Sequence, residues 1–186
     1  GLTWERTYEP DTGLVDSQTI TGVSELASFD LDYDASGNVV SRDEVVKKPG
    51  GGNTTGSGVW TYTYDDASRM LTATDPSDVT TTYAYDNMGN RTSVQVEGSS
   101  AVTTSYDDAG LPVSSSDGTD YTYDDSGNLV SIDATTSADD RCFYYDGWNL
   151  LWSVEVGSTS GCSQATGDLK YLYDGWNRTT SRTDSI

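Results

Sequence analysis

One stretch decides the fold: Val79-Thr80-Thr81-Thr82-Tyr83-Ala84-Tyr85-Asp86-Asn87-Met88-Gly89-Asn90-Arg91-Thr92-Ser93-Val94-Gln95-Val96. Residues 79–85 are β-branched or aromatic apart from Ala84, and strand alternation puts Tyr83 and Tyr85 on one face. Asp86-Asn87-Met88-Gly89 then fits a type I turn. Asp suits the first position because its carboxylate accepts backbone N–H groups of the turn. Gly suits the fourth because that residue must take a left-handed conformation. A type I turn followed by such a residue closes a hairpin with a bulge, and Arg91 to Val96 returns as a second alternating strand. Gly98-Ser99-Ser100 turns the chain into the next outgoing strand.

Working outward, the unit recurs. Tyr-Asp stands at Tyr33-Asp34, Tyr64-Asp65, Tyr85-Asp86, Tyr106-Asp107, Tyr123-Asp124, Tyr145-Asp146 and Tyr173-Asp174, with tyrosine spacings of 31, 21, 21, 17, 22 and 28. Three residues after each Asp comes a residue tolerant of positive φ: Gly37, Gly89, Gly110 and Gly127, then Asn149 and Asn177, with Ser68 as the exception. Two residues before the tyrosine there is usually another large side chain: Leu31, Tyr62, Tyr83, Tyr121, Phe143 and Tyr171, with Thr104 breaking the rule. Seven tandem hairpins are therefore expected, about fourteen strands at ~4.8 Å per strand. Asp75-Pro76-Ser77-Asp78 and Asp117-Gly118 read as turns between hairpins, and 47–58 and 156–168 as longer links. No apolar 3.6-residue period persists, so the fold class is all-β. Tandem antiparallel hairpins form one continuous, spiral or solenoid-like repeat sheet with essentially no helix. Residues 1–28 read as an irregular or strand-like leading segment and 29–186 as the hairpin array.

Composition bounds the function. The chain has 186 residues with 30 acidic against 10 basic, a net charge of −20, and no histidine. Phosphates of duplex nucleic acid and anionic membrane surfaces would be repelled, so neither is a partner. No apolar run is long enough to span a bilayer. Histidine triads and imidazole zinc sites are excluded. Thirteen tyrosines and five tryptophans argue against a solvated tail. Stacked at equivalent repeat positions, they supply burial that large aliphatics would otherwise give. Gly1 and the absence of an initial Met suggest a portion of something longer. Cys142 and Cys162 lie outside any Cys-x-x-Cys pair. A metal or redox site is one reading; a disulfide, which would place the chain outside the cytosol, is preferred.

Tyr-Asp-x-x-Gly-Asn, as at 33–38, 85–90 and 123–128, resembles the YD repeat of the rearrangement-hot-spot (Rhs) and teneurin families, over roughly residues 29–180. The resemblance implies a β-strip wound into a hollow shell, used by bacterial members to hold a toxin domain and by animal members in cell-surface adhesion. Bacterial shells end in Asp-Pro-x-Gly motifs that serve self-cleavage. Here the only Asp-Pro is Asp75-Pro76, followed by Ser77-Asp78, so that protease is not expected.

Candidate chemistry is sparse. Paired carboxylates serve glycoside hydrolysis, but most of these Asp residues stand at turn positions that already account for them, so no enzyme is expected. Asp65-Asp66, Asp107-Asp108 and Asp124-Asp125 lack the spacing of a calcium loop, which leaves Ca²⁺ as a loose screening ion and no cofactor. Asn53, Asn90 and Asn177 match the glycosylation sequon. Trp148 and Trp176 share the context Asp-Gly-Trp-Asn. They read either as a sugar-stacking platform or, preferably, as rings folded over the neighbouring hairpin. The expected function is a non-enzymatic extracellular or cell-surface scaffold, assembling edge to edge with copies of itself or further YD repeats into a shell, tube or filament. The alternatives are an excised wall segment of an Rhs-type toxin-enclosing shell, and an adhesion module that takes glycans.

Overall fold

The computed structural model describes residues 1–22, 25–47, 57–135, 140–157, 169–173 and 178–184. Among these there is no helix. The strands are β1 (Thr3–Tyr8), β2 (Val15–Thr21), β3 (Glu25–Tyr33), β4 (Val39–Val46), β5 (Gly58–Tyr64), β6 (Met70–Thr74), β7 (Thr80–Tyr85) and β8 (Arg91–Val96). They continue as β9 (Val102–Tyr106), β10 (Pro112–Ser115), β11 (Asp120–Tyr123), β12 (Leu129–Asp133), β13 (Arg141–Tyr145), β14 (Leu151–Val156), β15 (Leu169–Tyr173) and β16 (Thr179–Asp184). All sixteen follow one another in chain order in a single sheet. Every described pairing is antiparallel, as short hairpin turns require.

The sixteen strands make eight hairpins, one more than the Tyr-Asp count. The extra one is β1–β2, with Thr3 opposite Thr21 and Thr7 opposite Ser17. Its tip is Glu9-Pro10-Asp11-Thr12-Gly13, one residue longer than the others. Glu9 N–H donates to Leu14 C=O and Gly13 N–H to Glu9 C=O, at 2.8 and 2.9 Å. Glutamate is one methylene longer than aspartate, and here it holds the Thr12 hydroxyl at 2.6 Å. A search for Tyr-Asp passes over Tyr8-Glu9; a search for an aromatic, an acid and a following glycine finds it.

Two compact units divide the contacts. The first comprises Gly1–Asp86 with Ser93–Ala101, the second Asn87–Thr92 with Val102–Ile186. In the first unit β5 shows the two-faced strand most plainly: Trp60, Tyr62 and Tyr64 are half-buried, while Val59, Thr61 and Thr63 are exposed. No described residue of this unit is fully buried, so its aromatic face is a half-covered layer. In the second unit burial concentrates on β12–β14, where Ser131, Cys142, Ser153 and Val154 are 6, 2, 0 and 6 % exposed. Ser131 pairs with Cys142, and Ser153 with Tyr144.

Candidate functional site

A repeat array acts through the way each hairpin engages the next, so the interface between hairpins is the site to build. It begins at the tips. Asp34 Oδ1 accepts the backbone N–H groups of Ser36 and Asn38, both at 2.9 Å. Asp65 holds Ala67 and Arg69 in the same way, Asp107 holds Ala109 and Leu111, Asp124 holds Ser126 and Asn128, and Asp146 holds Trp148 and Leu150. The fourth tip residue takes positive φ: Gly37 at 83°, but also Ser68 at 59° and Asn149 at 61°. At Ser68 the clamp and the Arg69 ion pair hold a residue with no intrinsic liking for that conformation. The link Asp75–Val79 repeats the clamp on the opposite side of the hairpins, with Asp78 at φ 63°.

These bonds set the local electrostatics. Asp34 and Asp124 are held below the ordinary carboxylate range, first by the side-chain amides of Asn38 and Asn128 and then by backbone N–H groups. For Asp65 the Arg69 backbone N–H leads, and its guanidinium adds an ion pair at 2.7 Å. The tip carboxylates are thus committed to holding the turn.

From the tips, two sets of stitches run in opposite directions. The repeat tyrosine reaches back. Its hydroxyl donates to the carbonyl of the residue that opens the preceding return strand: Tyr33 to Val15 at 2.8 Å, Tyr64 to Val39 at 2.8 Å, Tyr85 to Met70 at 2.9 Å and Tyr106 to Arg91 at 2.8 Å. Tyr145 does the same to Leu129 at 3.1 Å and Tyr173 to Leu151 at 2.7 Å. Burial, as the first cause, raises the hydroxyl pKa of Tyr33, Tyr64, Tyr123 and Tyr145. The residue after the positive-φ position reaches forward. Arg69 donates to Asp86 C=O at 2.9 Å and lies 4.9 Å from the Tyr85 ring centre. The Asn128 amide donates to Asn149 Oδ1 at 3.1 Å. Asn90 Oδ1 would lie 3.3 Å from a Cβ on Gly110. That half-buried amide is the described sequon; Asn53 and Asn177 lie outside the described residues.

A third feature is a column of hydroxyls. The seventh residue after each repeat Asp is a hydroxyl: Ser41, Thr72, Ser93, Ser114, Ser131, Ser153 and Ser181, with Ser17 eight after Glu9. These face away from the tyrosines. Thr7–Ser17, Thr63–Thr72, Ser105–Ser114 and Thr122–Ser131 form cross-strand hydroxyl bonds of 2.7, 2.7, 2.8 and 2.7 Å. Where Ser153 is wholly buried its hydroxyl turns to Leu169 C=O at 3.1 Å. The signal lay in the sequence as a fixed offset from the acid.

The remaining candidates separate. Cys142 is buried and no described cysteine is free; Cys162 lies outside the described residues, as do Asp174 and Trp176. Trp148 does not fold over its neighbour. It is 82 % exposed, because the Asp146 clamp fixes its backbone at the outermost tip position. Among the described residues no three His, Cys, Asp or Glu side chains converge as a metal site. A groove of about 520 Å³ on the tyrosine face of the first unit runs between Phe29, Leu31, Arg42, Tyr62, Tyr64 and Met70.

A one-layer sheet of hairpins, pinned at the described tips by an acid and stitched to one another through six repeat-tyrosine hydroxyls, defines a YD-repeat shell wall. The teneurin YD-shell family profile matches residues 3–186, and the chain belongs to that family. It is 30 % identical over 194 aligned residues to the tRNA3(Ser)-specific nuclease WapA of Bacillus spizizenii, covering 97 % of this chain and 8 % of that protein. Among solved structures it is similar to a Tc holotoxin pore of Photorhabdus luminescens, with TM-score 0.58, 17 % identity, and 97 % of this chain against 12 % of that one. A TcdB2–TccC3 complex lacking its hypervariable C-terminal region gives TM-score 0.57 at 16 % identity, over 99 % of this chain and 12 % of the other. At these identities the structural likeness is one of fold.

Proposed function

We propose that this chain is a stretch of shell wall, a non-enzymatic scaffold whose edge strands pair with further YD hairpins to extend the sheet. Those hairpins come from a longer chain or from other copies, and the product is a shell, tube or filament outside the cell or on its surface. The observation that carries this reading is the polarity of the tyrosine stitch. Six of the seven repeat hydroxyls reach to the hairpin before them, so the same bond can add hairpins one after another in one direction. At the β1 edge Leu2, Trp4 and Tyr8 are 64, 62 and 55 % exposed, a row of the kind that covers its neighbour elsewhere in the sheet. The non-enzymatic reading is supported by tip carboxylates already occupied by backbone N–H groups. An extracellular setting goes with a Cys142–Cys162 disulfide, a pairing that the burial of Cys142 favours and that non-reducing peptide mapping tests. Light scattering and electron microscopy of the natural material test the assembly. Shells, tubes or filaments are expected; a compact monodisperse monomer at high concentration overturns it.

A second reading, a wall segment of a toxin-enclosing shell, is favoured by the Tc holotoxin and nuclease relatives, of which this chain spans 12 % and 8 %. The parent open reading frame tests it: a toxin domain downstream supports the reading, and a stop codon near Ile186 removes it.

A further inference from the structure

We propose that the β13–β14 tip, built on Trp148, is a binding site for neutral carbohydrate. Among the described residues Trp148 is the most exposed large apolar side chain, at 82 %. A tryptophan so placed has water on both ring faces, and its indole N–H meets no described acceptor. The platform is nevertheless held. Asp146 Oδ1 clamps the backbone N–H groups of Trp148 and Leu150 at 2.8 and 3.0 Å, and Asn149 N–H donates to Asp146 C=O at 3.0 Å. The ring therefore stands on a turn already ordered before a ligand arrives, which lowers the entropic cost of stacking.

The surroundings select the ligand class. The Asn149 amide oxygen accepts from Asn128 at 3.1 Å, and its amide nitrogen, with two N–H donors, meets no described acceptor. Asn128 gives one amide N–H group to Asp124 Oδ2 at 2.9 Å and leaves its own amide oxygen as an acceptor. A flat aromatic face beside amide donors and acceptors matches a pyranose, whose axial C–H face stacks and whose equatorial hydroxyls both give and accept hydrogen bonds. The chain neighbours of Trp148 are Gly147 and Asn149, small and polar, whereas an aromatic anchor of a protein interface sits among apolar side chains. Anionic sugars are disfavoured by Asp124, Asp125 and Asp146 and by the chain's net charge of −20. The site lies at a tip and takes no part in the tyrosine stitches, so it is independent of the wall reading.

The test is a titration of the full chain with cellohexaose, maltohexaose and the hexamer of N-acetylglucosamine, followed by indole N–H resonances and by calorimetry. With at least one of these, the Trp148 resonance shifts saturably. W148A lowers affinity at least tenfold, W148F retains part of it, and N149G, which keeps the positive φ, weakens it by a smaller factor. The particle size of W148A stays that of the wild type. No saturable shift with any of the three sugars overturns the proposal, as does a shift that persists in W148A. Loss of assembly in W148A also overturns it, by showing the tip to be a protein contact.

Discussion

The β6–β7 interface and the β10–β11 interface join the same kind of unit and are built very differently. Between β6 and β7 three residues pair, Thr72 with Thr82, Ala73 with Thr81 and Thr74 with Thr80. Tyr85 stitches back to Met70, and Arg69 reaches forward to Asp86 and lies against the Tyr85 ring. Between β10 and β11 one pair remains, Ser114 with Asp120, and Tyr123 makes no bond to the carbonyl of Pro112, the residue that opens the preceding return strand. A proline carbonyl accepts as well as any, and the register is the same: Ser114 opposite Asp120 sets Tyr123 against Pro112 as Thr72 opposite Thr82 sets Tyr85 against Met70. What differs is the ladder between the hairpins, one pair against three, where the tyrosine spacing falls from 21 to 17. The stitch is unmade where the described ladder between hairpins is shortest.

The contrast is open to direct attack. The largest effect is expected at Gly58, which packs against the Pro76 turn of the well-made interface with φ 130°. A Cβ there would come 2.8 Å from Pro76 Cβ. Gly58→Ala should cost about 2 kcal/mol or more in urea unfolding, because both the backbone angle and the space are forbidden to alanine. Gly89→Ala, at φ 94° with open space, should cost about 1 kcal/mol.

Next come the stitches. Tyr64→Phe and Tyr85→Phe should each lose about 1 kcal/mol, the worth of one part-buried hydrogen bond, while Tyr123→Phe should be neutral. An equal loss at Tyr123 would contradict the comparison. Arg69→Met should then cost about 1 kcal/mol at most, since its ion pair with Asp65 is part-exposed, and should speed amide exchange in β6 and β7 but leave β10 and β11 unchanged.

The smallest and broadest effect is that of pH. Asp34, Asp65, Asp117 and Asp124 titrate lower folded than unfolded, Asp117 chiefly through the Thr119 hydroxyl. The unfolded chain therefore binds protons first on acidification. Their contribution is complete above about pH 4 and is lost as pH falls through the folded values. Tyr33, Tyr64, Tyr123 and Tyr145 are raised by burial, with neighbouring acids adding to it. Their contribution is present below about pH 10 and is lost as pH rises through the folded values. Thermal melts across pH should fall at both ends; a melting temperature that keeps rising into strong acid would contradict the tip clamps.

Much was legible in the residues. The acid, the positive-φ residue and the flanking alternation are local, so turn chemistry and strand faces followed from a few adjacent side chains, as at Tyr85–Asn90. The eighth hairpin was hidden because Glu9 carries an extra methylene and an extra turn residue. The hydroxyl column was hidden because Ser41, Thr72 and their equivalents stand seven residues from the acid and look like ordinary strand filling. The sequence context of Trp148 suggests a ring covering its neighbour, but at the outermost position of a clamped turn it stays 82 % exposed.

The amino-acid sequence by itself determined the hairpin: where the strands turn, which face is aromatic, and that the unit recurs, all through interactions spanning at most a few residues. Tertiary structure alone decided which hydroxyl reaches which carbonyl. Tyr33 to Val15 and Tyr64 to Val39 depend on two separately formed hairpins pairing in one register, which is kept across links of different length, and the bond of Tyr123 is unmade where a single pair of the ladder remains. A donor and an acceptor 18 or 25 residues apart meet only when strand register and bulge agree, and neither of those is written in the motif.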